Sequence, residues 1–310
     1  MLIFLKTILT VLVIALILVL VFSFYLLYMN THPPRCTLNL SNQAYRSDYL
    51  DIWFANDQGL KLKGWLVKGN PAIDKPLPTI IFCHGLGSNK SDFMDLARHL
   101  VDHGYNAFLF DLRAHGESEG NSCSLGLHEQ NDLKAALDCL VKRDGIDSER
   151  IGVFGFSLGG AIALMAAAND KRIAAVLSDS SFDNLAEQTE YTLSTFYHLP
   201  SSVFMPLASL IYRIYFKGSM DLVSPINSVS KISPRALLLI CGEKDTQIPP
   251  DCNKKLFAMA KKPKELWSIP EANHGETIRI DHERYRERVL KFFDAYVKDR
   301  SLNKSINNTI

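Results

Sequence analysis

The sequence has almost no net charge and no bias toward one residue class. Lys and Arg total 34 and Asp and Glu total 33, which gives a formal charge of +1. Because nucleic-acid binding depends on clustered Lys and Arg, the absence of a basic stripe argues against a nucleic-acid partner. Hydrophobic residues make up 47% of the 310 residues, with only 17 Gly and 13 Pro. This composition excludes a disordered, collagen-like or low-complexity chain and predicts a packed core.

The six cysteines lack the spacing of a metal site. No two of them form a C-x-x-C pair or another zinc-binding pattern. The sequence therefore predicts no metal, and the chemistry argued below needs no organic cofactor. Free buried thiols are the expected state, with a Cys241–Cys252 disulfide as the alternative.

Long apolar runs are rare in the chain, and the exception is at the N-terminus. Residues 7–28 carry no charge and would form a helix of about 33 Å, against a hydrocarbon core of about 30 Å. A cleaved signal peptide has a shorter apolar region that ends in small residues, whereas this run ends in aromatic residues and leucines. The sequence predicts a retained single-pass anchor over residues 1–30. Lys6 favours a globular part outside the cytoplasm, although Arg35 and Arg46 oppose that orientation.

The rest of the chain is predicted to form one domain. Residues 31–47 are polar and turn-rich, which is typical of a tether, and residues 299–310 form a polar tail. Residues 48–298 carry the domain. Within it, residues 183–234 have apolar side chains at helical spacing and four prolines, which predicts a helical cap insertion.

Alternating short strands and helix-length segments predict the architecture of this domain. Residues 48–54 and 60–67 form an expected antiparallel pair, and later apolar strands alternate with amphipathic helices, which favours βαβ units and a buried parallel sheet. The strands of this second part are predicted at 79–83, 107–110, 151–156, 174–177, 236–241 and 265–269. The helices are predicted at 92–102, 127–142, 158–168, 251–261 and 281–298.

The segment Gly155-Phe156-Ser157-Leu158-Gly159 carries the strongest functional signal. It follows an apolar strand and opens an apolar helix, which is the strand–turn–helix setting of a nucleophile elbow. Such a turn is tight, and Gly155 and Gly159 leave room for the backbone. We therefore predict Ser157 as a catalytic nucleophile.

A serine nucleophile needs a histidine base and a carboxylate that orients it. Asp245 follows a predicted strand in GEKDTQIP, and His274 follows the next one in ANHG. Both therefore fall at the carboxyl edge of the sheet, in the order Ser, Asp, His. Asp179, which ends an earlier strand, is the rival acid.

Acyl transfer also needs two N–H donors for the oxyanion. Leu158, directly after the serine, supplies one, and Leu86 in Cys83-His84-Gly85-Leu86-Gly87-Ser88 supplies the other. His84 and the segment DLRAHGES at 111–118 are predicted to order the surrounding loops.

With these motifs in this order, residues 48–298 resemble the α/β-hydrolase superfamily. The motifs are HGLGS, DLRAHGES, GFSLGG, GEKDTQIP and NHG, and the chain looks most like its membrane-anchored or bacterial Bem46-like and serine aminopeptidase-like members. The resemblance implies a mostly parallel eight-stranded sheet with helices on both faces and a short cap. It also implies Ser157 as nucleophile, His274 as base, Asp245 as its orienter, and Leu86 and Leu158 as oxyanion donors.

The expected activity is hydrolysis of carboxylic esters through an acyl-enzyme. The anchor and the apolar cap favour lipid or acyl esters, with a thioester as a variant. One alternative is a serine peptidase of the aminopeptidase type, which needs an acidic cluster such as Glu187, Glu190 and Asp221. The other is a non-catalytic binding module on the same scaffold. Because the triad lies wholly within the domain, the anchor is expected to raise local concentration and to contribute nothing to the chemistry.

Overall fold

The computed structural model describes residues 1–38, 49–70 and 75–299. The predicted tether beyond residue 38 and the tail beyond residue 299 lie outside the described residues. The strands are β1 Leu50–Ala55, β2 Lys61–Val67, β3 Leu77–Cys83, β4 Asn106–Phe110, β5 Ile146–Phe156, β6 Ile173–Asp179, β7 Ala236–Gly242 and β8 Lys264–Ile269. The α-helices are α1 Leu2–Thr31, α2 Met94–Asp102, α3 Glu129–Leu140, α4 Leu158–Asn169, α5 Leu185–Thr195, α6 Ser201–Phe216, α7 Pro225–Ser228, α8 Pro250–Met259, α9 Thr277–Ile280 and α10 His282–Phe293.

The eight strands form one sheet in the order β1-β2-β4-β3-β5-β6-β7-β8. β2 runs antiparallel to both β1 and β4, and the other pairs are parallel. The expected α/β fold with an eight-stranded, mostly parallel sheet is confirmed, as is the antiparallel pair at its start. All carboxyl ends of the parallel strands therefore open on one edge.

Both faces of the sheet are covered by helices. Successive side chains of a strand point to opposite faces: Ile80 and Phe82 of β3 join one core cluster, and Ile81 and Cys83 join the other. Helices α2 and α10 cover the first face, while α3, α4 and α8 cover the second. Burial on both faces explains why these strands are continuous apolar runs rather than alternating ones.

Two element boundaries differ from the sequence prediction by more than two residues. β5 begins at Ile146 rather than at residue 151, because Ile146 pairs with Leu77 across an irregularity in the register. The C-terminal helix predicted at 281–298 is divided into α10 and a π-helical turn, Asp294–Lys298. The Asp281 side chain accepts the Arg284 N–H and caps the start of α10, which is the role that Asp is favoured for at an N-cap.

All six cysteines are free thiols, and Cys83, Cys123 and Cys241 are buried. The alternative disulfide between Cys241 and Cys252 is not formed. Burial raises the pKa of the Cys83 and Cys241 thiols, which keeps them protonated and unreactive at neutral pH.

Helix α1 extends from Leu2 to Thr31 and is long and apolar enough to cross a membrane by length and composition. Its N-terminal part is exposed, whereas Ser23, Leu26, Leu27 and Thr31 are buried against the domain. The buried part packs on cap helix α6, where the rings of Phe22 and Phe204 meet edge to face at 6.1 Å.

The segment after α1 is also bound to the domain. The Arg35 guanidinium donates hydrogen bonds to the carbonyl oxygens of His115, Gly116, Ser118 and Gly120 at 2.7 to 3.3 Å. The four carbonyl acceptors surround the two terminal nitrogens of the planar guanidinium. Arg35 thereby attaches the segment that follows α1 to the loop that follows β4.

Candidate active site

Ser157 stands in a strained turn between β5 and α4. Its φ is 53° and its ψ is −118°, a conformation that a non-Gly residue adopts only where the surroundings impose it. A Cβ atom at Gly159 would lie 2.1 Å from the Cys83 carbonyl oxygen, and one at Gly155 would lie 2.3 Å from the Gly159 carbonyl oxygen. The two glycines are therefore required by close backbone approach. The Ser157 N–H donates to the Asp179 carbonyl oxygen at 2.8 Å, which closes the turn against β6.

Asp245, His274 and Ser157 form a continuous line of hydrogen bonds. His274 Nδ1 lies 2.7 Å from Asp245 Oδ2, and His274 Nε2 lies 3.1 Å from Ser157 Oγ. The second oxygen of Asp245 accepts the backbone N–H groups of Gln247 and Ile248 at 2.9 and 2.8 Å. With Nδ1 carrying its hydrogen toward Asp245, Nε2 is free to accept the serine proton. This is the geometry that nucleophilic acyl transfer requires.

Asn273 joins the loop of the acid to the loop of the histidine. Its side-chain oxygen accepts the N–H of Thr246 at 3.1 Å and that of His274 at 2.7 Å. Sequence reasoning did not single out this residue, although it stands directly before the histidine in ANHG. By tying the two loops, Asn273 keeps the imidazole within reach of both partners.

Asp179, the rival acid, is bound elsewhere. Its carboxylate accepts hydroxyl hydrogen bonds from Thr277 and Tyr285 at 2.7 Å and from Ser180 at 2.8 Å. Burial raises the pKa of this carboxyl, and the hydroxyl donors oppose the rise. The Nδ1 atom of His274 bonds to Asp245, so Asp179 supports the serine turn and not the imidazole.

The two expected oxyanion donors lie beside the serine. Leu86 and Leu158 both line the cavity that contains Ser157. Leu158 is the first residue of α4, so its N–H has no partner within the helix. A Cβ atom at Gly85 would lie 3.4 Å from Ser157 Cβ, which shows how closely the loop after β3 passes over the serine. Leu86 and Leu158 therefore both lie at the cavity of the nucleophile, and their role as oxyanion donors stays a prediction.

Two buried imidazoles hold the loop after β3. His84 Nδ1 bonds to the Gly85 carbonyl oxygen at 2.8 Å, and His84 Nε2 accepts the Leu112 N–H at 3.1 Å. His115 Nε2 accepts the Gly87 N–H at 3.1 Å. A nitrogen that accepts an N–H must be unprotonated, so both rings act in their neutral form. Burial lowers the pKa of both rings, which favours that form.

A buried ion pair lies beneath the same loop. The Lys90 ammonium is 2.6 Å from Asp111 Oδ2 and 2.6 Å from Glu117 Oε2, and the side chains of Lys90 and Asp111 are fully buried. Asp111 also accepts the backbone N–H of Lys90 at 2.8 Å. The loops after β3 and β4 are thereby connected, which agrees with the ordering role predicted for DLRAHGES.

A cavity of about 920 Å³ extends from Ser157 and His274 to the cap and to α1. Its wall includes Leu26 and Leu27 of α1. The sequence places the whole site inside residues 48–298, and the structure differs because the last turns of α1 pack against the cap. The sequence does not predict that Leu26 and Leu27 line the cavity, because nothing distinguishes them from the other leucines of the apolar run.

Within residues 1–38, 49–70 and 75–299, no group of three or more His, Cys, Asp or Glu side chains is arranged to hold a metal ion.

Known proteins resemble this chain in both sequence and fold. Residues 78–204 match the family model described as alpha/beta hydrolase fold. The Escherichia coli (strain K12) protein YfhR is 30% identical over 245 residues, which covers 78% of this chain and 79% of YfhR. The Arabidopsis thaliana alpha/beta hydrolase domain-containing protein WAV2 is 27% identical over 260 residues, which covers 81% of this chain and 80% of WAV2. The solved structure of the Pyrococcus furiosus esterase Pf2001 superposes with a TM-score of 0.69 at 28% identity and covers 86% of this chain and 99% of the esterase.

The neutral imidazoles predict a loss of stability in mild acid. An unfolded-state histidine titrates near pH 6.5, whereas burial lowers the pKa of His84 and His115 in the folded protein. Between the two pKa values the unfolded chain binds more protons, so the free energy of unfolding is full above about pH 6.5 and falls as the pH decreases. His115→Gln supplies an amide acceptor for the Gly87 N–H and does not titrate.

We expect the melting temperature of His115→Gln to fall less than that of the wild type between about pH 7.5 and pH 5.5. His282→Gln is the matched control, because the His282 side chain is 42% exposed, and it should follow the wild type. Equal losses in the wild type and in His115→Gln would contradict a neutral, buried His115.

Proposed function

The chain belongs to the α/β-hydrolase superfamily, and from this premise we propose that it is a serine hydrolase that cleaves carboxylic esters. The observation that carries the proposal is the hydrogen-bonded line Asp245–His274–Ser157, with His274 Nε2 at 3.1 Å from the serine oxygen. Ser157, Leu86 and Leu158 all line the same mostly apolar cavity. A nucleophile, a base and nearby backbone donors are the groups that acyl transfer needs, and this supports the proposal.

The proposed reaction has two steps. Ser157 Oγ attacks the ester carbonyl carbon while His274 Nε2 takes its proton, and the N–H groups of Leu86 and Leu158 receive the oxyanion. Collapse of this intermediate expels the alcohol, which takes the proton from His274, and leaves an acyl-serine. Water then attacks the acyl carbon with the same base, and the acid departs as Ser157 regains its proton. Asp245 orients the imidazole and stabilises its charged form in both steps.

The cavity wall favours an acyl group as the bound part of the substrate. Phe182, Leu185 and Leu193 line it from the cap side, together with Phe204 and Met220. Apolar side chains stabilise a bound hydrocarbon by roughly 0.8 kcal/mol per buried CH₂. The structural relative Pf2001 is described as an esterase, which supports an oxygen ester, and a thioester is a variant of the same reaction.

The aminopeptidase alternative receives less support from the site. A free amine needs acidic groups at the cavity, but Glu187 pairs with Lys255 at 3.1 Å and Glu190 accepts a hydrogen bond from Ser201 at 3.0 Å. Asp221 accepts the Ser219 hydroxyl at 2.8 Å. These three carboxylates are engaged away from the residues that line the cavity. A non-catalytic binding module would not require the complete hydrogen-bonded line at Ser157.

We also propose that α1 is retained as a single-pass anchor, with the domain on the non-cytoplasmic side. The helix is long enough to cross a membrane, yet its last turns are buried against the domain. Removal of the helix as a signal peptide would expose the core residues that now contact Leu26 and Leu27. This packing supports retention.

The first prediction for this function concerns the nucleophile. A fluorophosphonate probe should label the wild type at Ser157, because only a serine with an adjacent base reacts at a useful rate. Ser157→Ala should abolish the labelling, whereas Ser88→Ala, at another serine of the cavity wall, should retain it. Peptide mass mapping identifies the modified residue, and undiminished labelling of Ser157→Ala would overturn the assignment.

The second prediction separates the two candidate acids. Asp245→Asn should lower kcat for a p-nitrophenyl ester by about a thousandfold or more, because the imidazole loses its orientation. Asp179→Asn keeps an oxygen that accepts from Tyr285 and Thr277, so kcat should fall less than about tenfold. A larger loss in Asp179→Asn than in Asp245→Asn would transfer the role to Asp179.

The third prediction concerns retention of α1. Full-length protein should remain in the membrane pellet after an alkaline carbonate wash, since an apolar spanning helix is not released by charge. Mass spectrometry of the pellet should find peptides from residues 1–35. A mature protein that begins near residue 30 and appears in the soluble fraction would show that the segment is a cleaved signal.

A further inference from the structure

One face of α1 is turned toward the proposed site. Ser23, Leu26, Leu27 and Asn30 line the cavity that contains Ser157, and their spacing of three, four and seven residues places them on one side of a helix. Val19, four residues before Ser23, packs on the same cluster as Leu26. The opposite face of α1 is exposed, since Leu18 is 63% exposed and Tyr25 is 53% exposed.

The hydrogen-bond donors on this face already have partners within the protein. The Ser23 hydroxyl donates to the Val19 carbonyl oxygen at 2.8 Å, and the Asn30 amide donates to the Leu26 carbonyl oxygen at 2.8 Å. Asn30 also donates to the Tyr197 hydroxyl at 3.3 Å. Because these hydrogen bonds use the donors of both side chains, the wall offers mainly hydrocarbon to a ligand.

Helix α1 is long enough both to cross a membrane and to line the cavity. Its 30 residues span about 45 Å, whereas a hydrocarbon core needs about 20 residues or 30 Å. If the span begins after the charged Lys6, about 20 residues end near residue 26, so the segment that lines the cavity, residues 23–30, lies at the outer boundary of the core. The outer face of α6 beside it exposes Val203, Leu210 and Ile214, which suits contact with lipid.

We propose that the acyl chain of a membrane lipid ester lies along the face of α1 formed by Ser23, Leu26, Leu27 and Asn30. This inference rests on the proposed ester hydrolysis and adds the substrate class and a binding wall. The chain reaches Ser157 between α1 and the cap, so its methylenes move from bilayer to cavity without crossing water. The anchor is therefore part of the acyl-binding site and not only a tether.

The first experiment uses the unaltered full-length protein in detergent or nanodiscs. A p-nitrophenyl alkylphosphonate with a hexadecyl chain and a terminal diazirine reacts with Ser157 by loss of p-nitrophenol, and illumination then inserts the chain end into its neighbours. We expect cross-linked peptides from residues 19–30 of α1. Labelled Ser157 with cross-links confined to α9, to α2 or to solvent would overturn the inference. Absence of labelling at Ser157 would instead contradict the proposed hydrolase activity.

The second experiment uses a matched pair of substitutions on one helix. Leu26→Trp fills the cavity wall and should lower kcat/KM for p-nitrophenyl palmitate about tenfold relative to p-nitrophenyl butyrate. Leu18→Trp places the same change on the exposed face and should alter that ratio less than about twofold. An unchanged ratio in Leu26→Trp would contradict the proposal. If Leu26→Trp fails to fold, as loss of activity on p-nitrophenyl butyrate reports, the cross-link in the wild type decides.

Discussion

The site depends on one close backbone contact between α4 and the carboxyl ends of β3 and β5. The backbone at Gly159 approaches the Cys83 carbonyl so closely that no side chain fits between them. This contact forces Ser157 into a positive-φ conformation whose strain is of the order of 1–3 kcal/mol. The packing of an apolar helix on both neighbouring strands stabilises the strained turn. The turn places the Ser157 hydroxyl above the carboxyl edge of the sheet, where the loops that carry Asp245 and His274 also lie.

Buried polar groups fix the arrangement of the loops around the serine. A buried ion pair such as Lys90 and Asp111, with nitrogen and oxygen at 2.6 Å, contributes little net stability after desolvation. Loss of one partner, however, leaves an uncompensated charge in the core. Such a pair therefore restricts the loop to one arrangement, and the neutral rings of His84 and His115 do the same for the backbone donors. The cost of displacing the loop keeps Leu86 at the wall of the cavity that contains Ser157.

Local patterns in the sequence were sufficient for the sheet and for the residues that now meet at Ser157. Apolar strands that end in Gly, Asp or His identify the carboxyl edge, and the order Ser, Asp, His places three side chains there before any distance is known. Residues that act through distant partners were not predictable. Lys90 looks like a surface lysine, and its burial follows from Asp111 and Glu117, which lie 21 and 27 residues away. Asn273 and the early start of β5 likewise depend on neighbours in space.

Leu26 illustrates the same limit and leads to the role of α1. Its sequence context indicates lipid contact, but the residue is 8% exposed and packs with Leu193 and Phe204 of the cap. Burial of a leucine contributes about 1.5–3 kcal/mol, and Arg35 adds four hydrogen bonds just beyond the helix. A domain bound in this way does not swing freely on a tether. If α1 spans the bilayer, the depth and orientation of the cavity mouth are set by the same contacts, so an ester held near the headgroups meets Ser157 in one orientation.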